Sequence, residues 1–332
     1  LQTSLILSTH EFKGRPADLS RRILAMRSIP AAKVLKIAYL ARSLRDNLEL
    51  FDILADRDRP TIALALGEPG LMSRILAPKF GGFLTFASLR PTTTTAPGQP
   101  TLFELLHTYR FRSINKDTAV YGVVGHPVSH SLSPHIHNAG FEALNLNAVY
   151  LPLPIAPGYE SFKASILELI HYTPLNLRGL SVTLPHKENL VRLAQEQGWQ
   201  LDETSTATGA ANTLAIDRDT TGAITRIRTL NTDARALVST LESETGPVTG
   251  KRIAIYGAGG VGKSAAISLA AAGASITIFN RAYDRAAALA ESLDLVSRAQ
   301  ITADDVANLA RSRFDAYINC TPVGMKDGPP PP

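Results

Sequence analysis

The segment Lys251–Ser264, KRIAIYGAGGVGKS, constrains the fold more than any other stretch of this 332-residue chain. An apolar run, Ile253–Tyr256, stops at a glycine-dense turn, and an alanine-rich helical stretch follows. That pattern is a strand, a phosphate-cradling turn and a helix N-terminus, whose free N–H groups and dipole attract an anion. Two motifs claim the same letters. Gly257, Gly259 and Gly262, with Ala258, Gly260 and Val261 between them, fit the dinucleotide fingerprint G-x-G-x-x-G. Gly257, Gly262, Lys263 and Ser264 equally fit the nucleoside-triphosphate loop G-x-x-x-x-G-K-[ST].

The choice is made further along the chain. A second apolar strand, Ala274–Phe279, begins about ten residues beyond the helix start and ends in NRAYDR. A dinucleotide fold places its ribose reader there, and an NAD enzyme shows Asp or Glu. This chain shows Asn280, Arg281 and, one turn on, Arg285. Guanidinium groups suit a 2′-phosphate, so NADP is expected over NAD. A triphosphatase wants an aspartate after an apolar strand to hold Mg²⁺, whereas Asp315 precedes the strand near Tyr317–Cys320. The dinucleotide reading is preferred, and Lys263 and Ser264 become solvent-exposed residues of a first helical turn.

Composition sets the outer limits. Apolar content of 45% and charge of 19% describe an ordinary soluble protein. A chain of this length is expected to form two or three domains with substantial cores. No run of about 18 apolar residues is present, which argues against a transmembrane helix. The single cysteine, Cys320, rules out an intramolecular disulfide and suits a reducing, cytoplasmic setting. Net charge is +5 with Lys and Arg scattered, which suits anionic small molecules rather than nucleic acid. Nothing in the pattern specifies an oligomer. The chain starts at Leu1 without a methionine or a signal peptide and stops in GPPPP, so a fragment of a longer polypeptide is expected.

Within residues 1–112, strand candidates Leu5–Ser8, Val34–Leu40, Thr61–Leu66 and Phe83–Leu89 alternate with helical stretches Ala17–Met26, Arg42–Ala55 and Leu71–Ala77. A fourth helix begins near Thr101. Repeated βα units with near-continuous apolar strands imply a parallel sheet, and four units are half of an eight-stranded barrel. Three polar residues lie near strand ends, where barrel enzymes place chemistry: His10 in STHEF, Lys36 in VLKIAYL and Arg74 in EPGLMSR. Flanked by Leu35 and Ile37, Lys36 should be desolvated, which lowers its pKa and frees its amine for Schiff-base chemistry. The plainer alternative is an ammonium emerging at the strand end. Leu89–Pro100, LRPTTTTAPGQP, reads by composition as a linker.

STHEF, VLKIA, MSRILAPKFGGFLTFAS and TTAPGQP together resemble the second half of a type I 3-dehydroquinate dehydratase, a (β/α)8 barrel that dehydrates through a lysine Schiff base. The resemblance implies that Lys36 forms the imine, His10 is the general acid/base and Arg74 clamps the substrate carboxylate. It also implies that Thr95 and Gln99 lie on a loop closing over the substrate. The first strands of that family have no counterpart here.

Residues 116–235 form a second α/β segment. Strand Ala119–Gly125 leads into HPVSHSLSPHIHN, where His126, His130, His135 and His137 invite a metal hypothesis. Pro127 and Pro134 interrupt any helical register and no Cys or carboxylate completes a site, so no metal is expected. Ser129, Ser131 and Ser133 suit a loop offering hydroxyls to a polyol or carboxylate, or equally an N-cap cluster. Strand Leu180–Leu184 ends at Pro185 with Lys187 just beyond, a place from which a lysine can move a proton if burial tunes it. A solvated surface lysine is the plain alternative. GAANTL presents Asn212 and RTLNTDARAL presents Asp233, each at the edge of an apolar stretch.

Seven motifs in order, YGVVGHPVSHSLSPHIHN, GLSVTLPHK, GAANTL, NTDA, the GAGGVG turn, NRAYDRA and NCTPVGM, resemble shikimate dehydrogenase from about Val120 to Met325. The resemblance implies a substrate-binding domain over residues 116–235 and a Rossmann NADP-binding domain over 245–332. It implies that Ser131 and Ser133 hold the substrate carboxylate, while Thr183, Asn212 and Asp233 bind ring hydroxyls. Lys187, with Asp233, would move the proton, and the nicotinamide would sit against Asn319–Met325, with Asn319 and Thr321 in contact. Leu230 and Ala236 stand where that family usually has glycines. The expected whole is a dehydratase making 3-dehydroshikimate from 3-dehydroquinate, fused to a dehydrogenase reducing it to shikimate with NADPH. A catabolic quinate or shikimate dehydrogenase and a non-catalytic ligand sensor are the alternatives. Intact His10, Lys36, Lys187 and Asp233 argue against the sensor.

Overall fold

The computed structural model describes residues 4–294 and 300–324. In chain order the first elements are β1 (Leu5–Glu11), α1 (Leu19–Arg27), β2 (Ala32–Leu40), α2 (Asp46–Ala55), β3 (Thr61–Leu66) and α3 (Leu71–Ile75). Next come β4 (Ala119–Gly125), α4 (Ser133–Ala143), β5 (Ala148–Pro154), α5 (Tyr159–His171), β6 (Leu177–Val182) and α6 (Lys187–Gln197). They are followed by β7 (Gln200–Leu201), α7 (Glu203–Thr208), β8 (Thr213–Arg218), β9 (Ile224–Leu230) and α8 (Thr232–Thr245). The last are β10 (Arg252–Tyr256), α9 (Gly260–Ala271), β11 (Ser275–Phe279), α10 (Tyr283–Asp294), β12 (Ile301–Asp304) and β13 (Ala316–Asn319). The chain divides into two compact units, residues 1–189 with 214–227, and residues 190–213 with 228–332.

The first unit opens with the three-stranded parallel sheet β1-β2-β3. All six residues of β3, TIALAL, are buried, as a strand covered on both faces requires. One face gathers Val34, Ala38, Ile62, Leu64 and Leu66 into a small apolar cluster, and Lys36 projects from that same face of β2. Two expectations change here. Phe83–Leu89 is no strand: it contributes a single bridge, Ser88 to Thr101, because Ser88 N–H and carbonyl bond across to Pro100 and Leu102 in a turn framed by prolines. The parallel sheet accordingly holds three strands, not four. Helix α2 starts at Asp46 rather than Arg42, since the Asp46 carboxylate accepts the N–H groups of Arg42 and Ser43 and holds them in a turn.

The same unit contains the ordered strands β5-β4-β6-β8-β9, with β4 parallel to both neighbours. Side chains tie this sheet to the first one. The Lys79 ammonium, buried, donates to the carbonyls of Lys116 and Thr118 at 2.8 Å each. Tyr172 donates to Asp52 at 2.7 Å, and its ring lies 6.4 Å from Phe51 and 6.3 Å from Phe80, which stack on each other.

The second unit is built on the parallel sheet β12-β11-β10-β13. Ile253, Ile255, Ile276 and Ile278 form its core with Ala265, Ala266 and Leu269 of α9. Small residues let that helix lie close to the sheet. This close approach corrects the expectation for Ser264, which is only 8% exposed because it shares the inner face of α9. Short strand β7 pairs with Arg228 and Thr229.

Candidate active site

In the first sheet, His10 and Lys36 lie on one face, since Ser8 is paired with Lys36 and His10 with Ala38. The Lys36 ammonium lies over the Phe86 ring, 4.2 Å from its centroid. Burial among apolar neighbours lowers its pKa, and the charge of Arg74 lowers it further. His10 is likewise lowered, first by desolvation and then by Lys36. Arg74, on α3, is 1% exposed, and its Nε and Nη2 have no hydrogen-bond partner among the described residues. Burial pushes its pKa down to about 10. A buried guanidinium with unpaired donors is costly, and an anion with two oxygens would satisfy it. Far from acting as a loose linker, the threonine-rich segment docks at the end of β3: Gly67 N–H donates to Pro97 O at 2.9 Å. Inside that segment, Gln99 Oε1 accepts from Thr95 N–H and Oγ1 at 2.8 and 3.0 Å.

The serine loop follows β4. Ser133 opens α4 and its N–H donates to Ser131 Oγ at 3.2 Å; both serines are half-buried. Two of the four histidines, on α4, make structural contacts. His137 stacks on Tyr150 at 4.2 Å, and His135 Nδ1 lies 3.3 Å from Thr108 Oγ1. Among the described residues no group of three His, Cys, Asp or Glu could hold a metal ion. Beyond β6, Thr183 N–H donates to Val124 O at 2.8 Å and the half-buried Lys187 begins α6.

In the second unit, two motifs meet. Asn212 Nδ2 donates to Asp233 Oδ1 at 2.7 Å and to Thr232 Oγ1 at 3.0 Å, while Asn212 Oδ1 accepts the Thr232 N–H at 2.9 Å. Behind them Asn231 caps α8 and donates to Ala210 O at 2.9 Å. The carboxylate and the amide are thus held on two fixed backbones.

The glycine turn joins β10 to α9. Gly257 has φ +120°, a conformation that favours glycine. A Cβ on Gly262 would stand 1.9 Å from Gly257 O, whereas one on Gly259 would meet nothing within 4 Å. The turn is closed from below and open above at Gly259, at the N-terminus of a 12-residue helix. Such a cradle fits a pyrophosphate. Ala258 N–H donates to Asn280 Oδ1 at 3.4 Å, while Gly260 and Val261 begin the helix. Arg281 and Arg285 are exposed, and their side chains make no hydrogen bond or ion pair among the described residues; the Arg285 N–H donates to Ala282 O at 3.1 Å. Asn319 Oδ1 accepts from Thr321 N–H and Oγ1 at 3.0 and 2.6 Å, closing a turn after β13; Met325 lies outside the described residues. Asp315 Oδ2 accepts the Arg252 N–H at 2.7 Å, at the start of the parallel strands β10 and β13 and so at the end of the sheet opposite the glycine turn, where it cannot serve a triphosphate loop.

Three family models cover successive regions: type I 3-dehydroquinase over residues 1–116, shikimate dehydrogenase substrate-binding domain over 123–214, and shikimate/quinate 5-dehydrogenase over 239–323. A shikimate dehydrogenase (NADP(+)) of Carboxydothermus hydrogenoformans is 36% identical over 216 residues, 64% of this chain and 71% of that protein. The chain belongs to the shikimate dehydrogenase family. Its N-terminal region adds the dehydratase likeness. A bifunctional 3-dehydroquinate dehydratase/shikimate dehydrogenase of Arabidopsis thaliana is 35% identical over 97% of this chain. The chain spans about half of that relative, 53%. A crystal structure of the Thermus thermophilus shikimate 5-dehydrogenase, in complex with NADP(H) and shikimate, superposes with a TM-score of 0.51 at 29% identity. It covers 64% of this chain and 74% of that one.

For a shikimate dehydrogenase family member, the sequence left several site neighbours unseen. Phe86, under the Lys36 ammonium, sat in a supposed strand. Thr232, bonded to Asn212, was legible as the N1 residue of NTDA but not as a partner. His186 and Asn189 flank Lys187 and are bonded to each other at 3.0 Å, a link that only folding reveals.

Proposed function

We propose that this chain carries an NADP-dependent shikimate dehydrogenase that reduces 3-dehydroshikimate to shikimate. Its N-terminal region is of the type I 3-dehydroquinate dehydratase kind, whose product is that ketone. The observation that carries the reading is the 2.7 Å bond from Asn212 to Asp233. It joins two separate motifs into one carboxylate-amide pair of the kind that reads adjacent hydroxyls. We assign residues 1–112 to the dehydratase region, 116–235 to substrate binding and 245–332 to the cofactor.

In this reading Ser131 and Ser133 donate to the substrate carboxylate, and Thr183, Asn212 and Asp233 bind ring hydroxyls. Lys187 and Asp233 are the proton-handling groups. Bound NADPH supplies the hydride. The backbone of Gly257–Gly262 holds the pyrophosphate, Arg281 and Arg285 pair with the 2′-phosphate, Asn280 orients the turn that presents them, and Asn319 and Thr321 line the nicotinamide. In the dehydratase region, the Lys36 amine condenses with the substrate ketone, releasing water, and Arg74 clamps the carboxylate. His10 takes the proton next to the imine and returns it to the departing hydroxyl, which leaves as water; a second water then hydrolyses the imine, freeing the product ketone and the Lys36 amine. A catabolic quinate or shikimate dehydrogenase and a non-catalytic ligand sensor are not favoured, because the relatives across both regions are named as dehydratase, NADP-dependent dehydrogenase and shikimate biosynthesis proteins.

The test is Lys187→Ala. Loss of a positioned acid/base lowers kcat by about 10²- to 10⁴-fold. Full turnover in that variant refutes the assignment.

A further inference from the structure

His186 is 0% exposed, although it sits in a loop between the exposed Leu184 and Pro185 and the half-buried Lys187. Its ring stacks on Phe162 of α5 with centroids 4.8 Å apart. Nε2 lies 2.9 Å from the carbonyl of Ile155, just past β5, and Nδ1 lies 3.0 Å from Asn189 Nδ2 in the first turn of α6. A carbonyl only accepts and an amide nitrogen only donates, so both contacts are satisfied by one neutral tautomer, with the proton on Nε2. Its backbone N–H donates to Thr183 O at 2.9 Å, and His126 N–H donates to Leu184 O at 3.0 Å. One side chain therefore fastens β5, α5 and α6 together at the residue before Lys187. A surface loop has no need of a buried, doubly bonded imidazole. A loop that must hold the next residue to within a fraction of an ångström does.

We infer that His186, clamped by Ile155, Phe162 and Asn189, is a positioning residue that sets where the Lys187 ammonium stands during proton transfer. The inference rests on the proton-handling role assigned to Lys187. Ring and bonds divide the work: the stack keeps the loop folded, and the two hydrogen bonds fix the backbone at the start of α6. Substrate binding, assigned to the serines, Thr183, Asn212 and Asp233, does not pass through them.

The test is shikimate oxidation by His186→Phe, which keeps an aromatic ring against Phe162 and removes both bonds. The expected result is a kcat about 10- to 100-fold lower with KM for shikimate changed less than about twofold, the pattern of a misplaced group rather than a lost binding contact. His186→Gln, whose amide can donate to Ile155 and accept from Asn189, should recover most of that kcat. Asn189→Ala, which leaves the buried ring in place, should lower kcat in the same direction and covers the case in which His186→Phe does not fold. Lys187→Ala is measured alongside. If it loses turnover while His186→Phe and Asn189→Ala keep full kcat, His186 is not a positioning residue and the inference is overturned alone. If Lys187→Ala keeps turnover, the role of Lys187 and the inference resting on it fall together. A rise in KM with kcat unchanged also overturns it.

Discussion

Two glycines of one turn should respond in opposite ways to the same added methyl. An alanine at position 262 brings Cβ to 1.9 Å from Gly257 O, far inside the 3.4 Å at which ordinary contact begins. Gly257 cannot retreat easily, because its N–H is bonded to Phe279 O at 2.8 Å and Thr321 and Cys320 pack against it. Forced overpacking of this kind costs about 1–3 kcal/mol. For a chain of 332 residues that lowers the unfolding midpoint by about 1–4 °C. An alanine at position 259 meets nothing within 4 Å, and the backbone there, φ −92°, suits any residue. Its effect on stability should stay within about 0.5 kcal/mol. The methyl would nevertheless stand where a pyrophosphate must approach the backbone, so NADP should bind about tenfold more weakly, about 1.4 kcal/mol. Thermal unfolding and cofactor titration on both variants separate the two roles. Unchanged NADP affinity in Gly259→Ala refutes the placement of phosphate at this turn, and an unaltered midpoint in Gly262→Ala refutes the contact argument.

Arg281→Ala should weaken NADP by about 1–3 kcal/mol, the scale of a lost charge-assisted bond, and leave NAD binding alone; equal weakening of both would remove the 2′-phosphate from this site. Borohydride added with 3-dehydroquinate should fix a substrate-sized adduct on Lys36, detectable by mass, and none should form in Lys36→Met; an adduct on another lysine contradicts the Schiff-base assignment. Lys79 carries a pH signature. Burial pushes its pKa from 10.5 down to about 8, so the unfolded chain binds the extra proton between those values and stability rises with pH across that window. The penalty for the charged form is present below pH 8 and amounts to about 3 kcal/mol. In Lys79→Met that gradient is absent, so parent minus variant stability, measured by denaturant unfolding, should increase from pH 7.5 to pH 10; a constant difference contradicts it.

Where burial on both faces dictates the letters, the fold was legible: TIALAL and IAIY announce parallel strands because nearly every position is apolar. Phe83–Leu89 has strand-like letters too, but its β propensity describes side chains and not whether a neighbouring strand is there to bond. The start of α2 was misplaced for a local reason, an aspartate accepting backbone bonds from residues ahead of it. Ser264 was read as exposed because its motif suggested a solvent-facing turn, whereas the alanines around it draw α9 onto the sheet. Candidate residues marked by ordered motifs, such as Asn212 and Asp233, could be named in advance, and folding brings these two within 2.7 Å. His186 could not, because its burial comes from Ile155 and Phe162, 31 and 24 residues away in sequence.

The most direct test of the central claim is whether the purified chain reduces NADP+ when given shikimate. NADPH should accumulate together with 3-dehydroshikimate, much faster than NADH forms from NAD+ under the same conditions, and Lys187→Ala should abolish the signal. A chain that binds shikimate and NADP+ but passes no hydride between them would contradict the claim and leave a ligand-binding protein in its place.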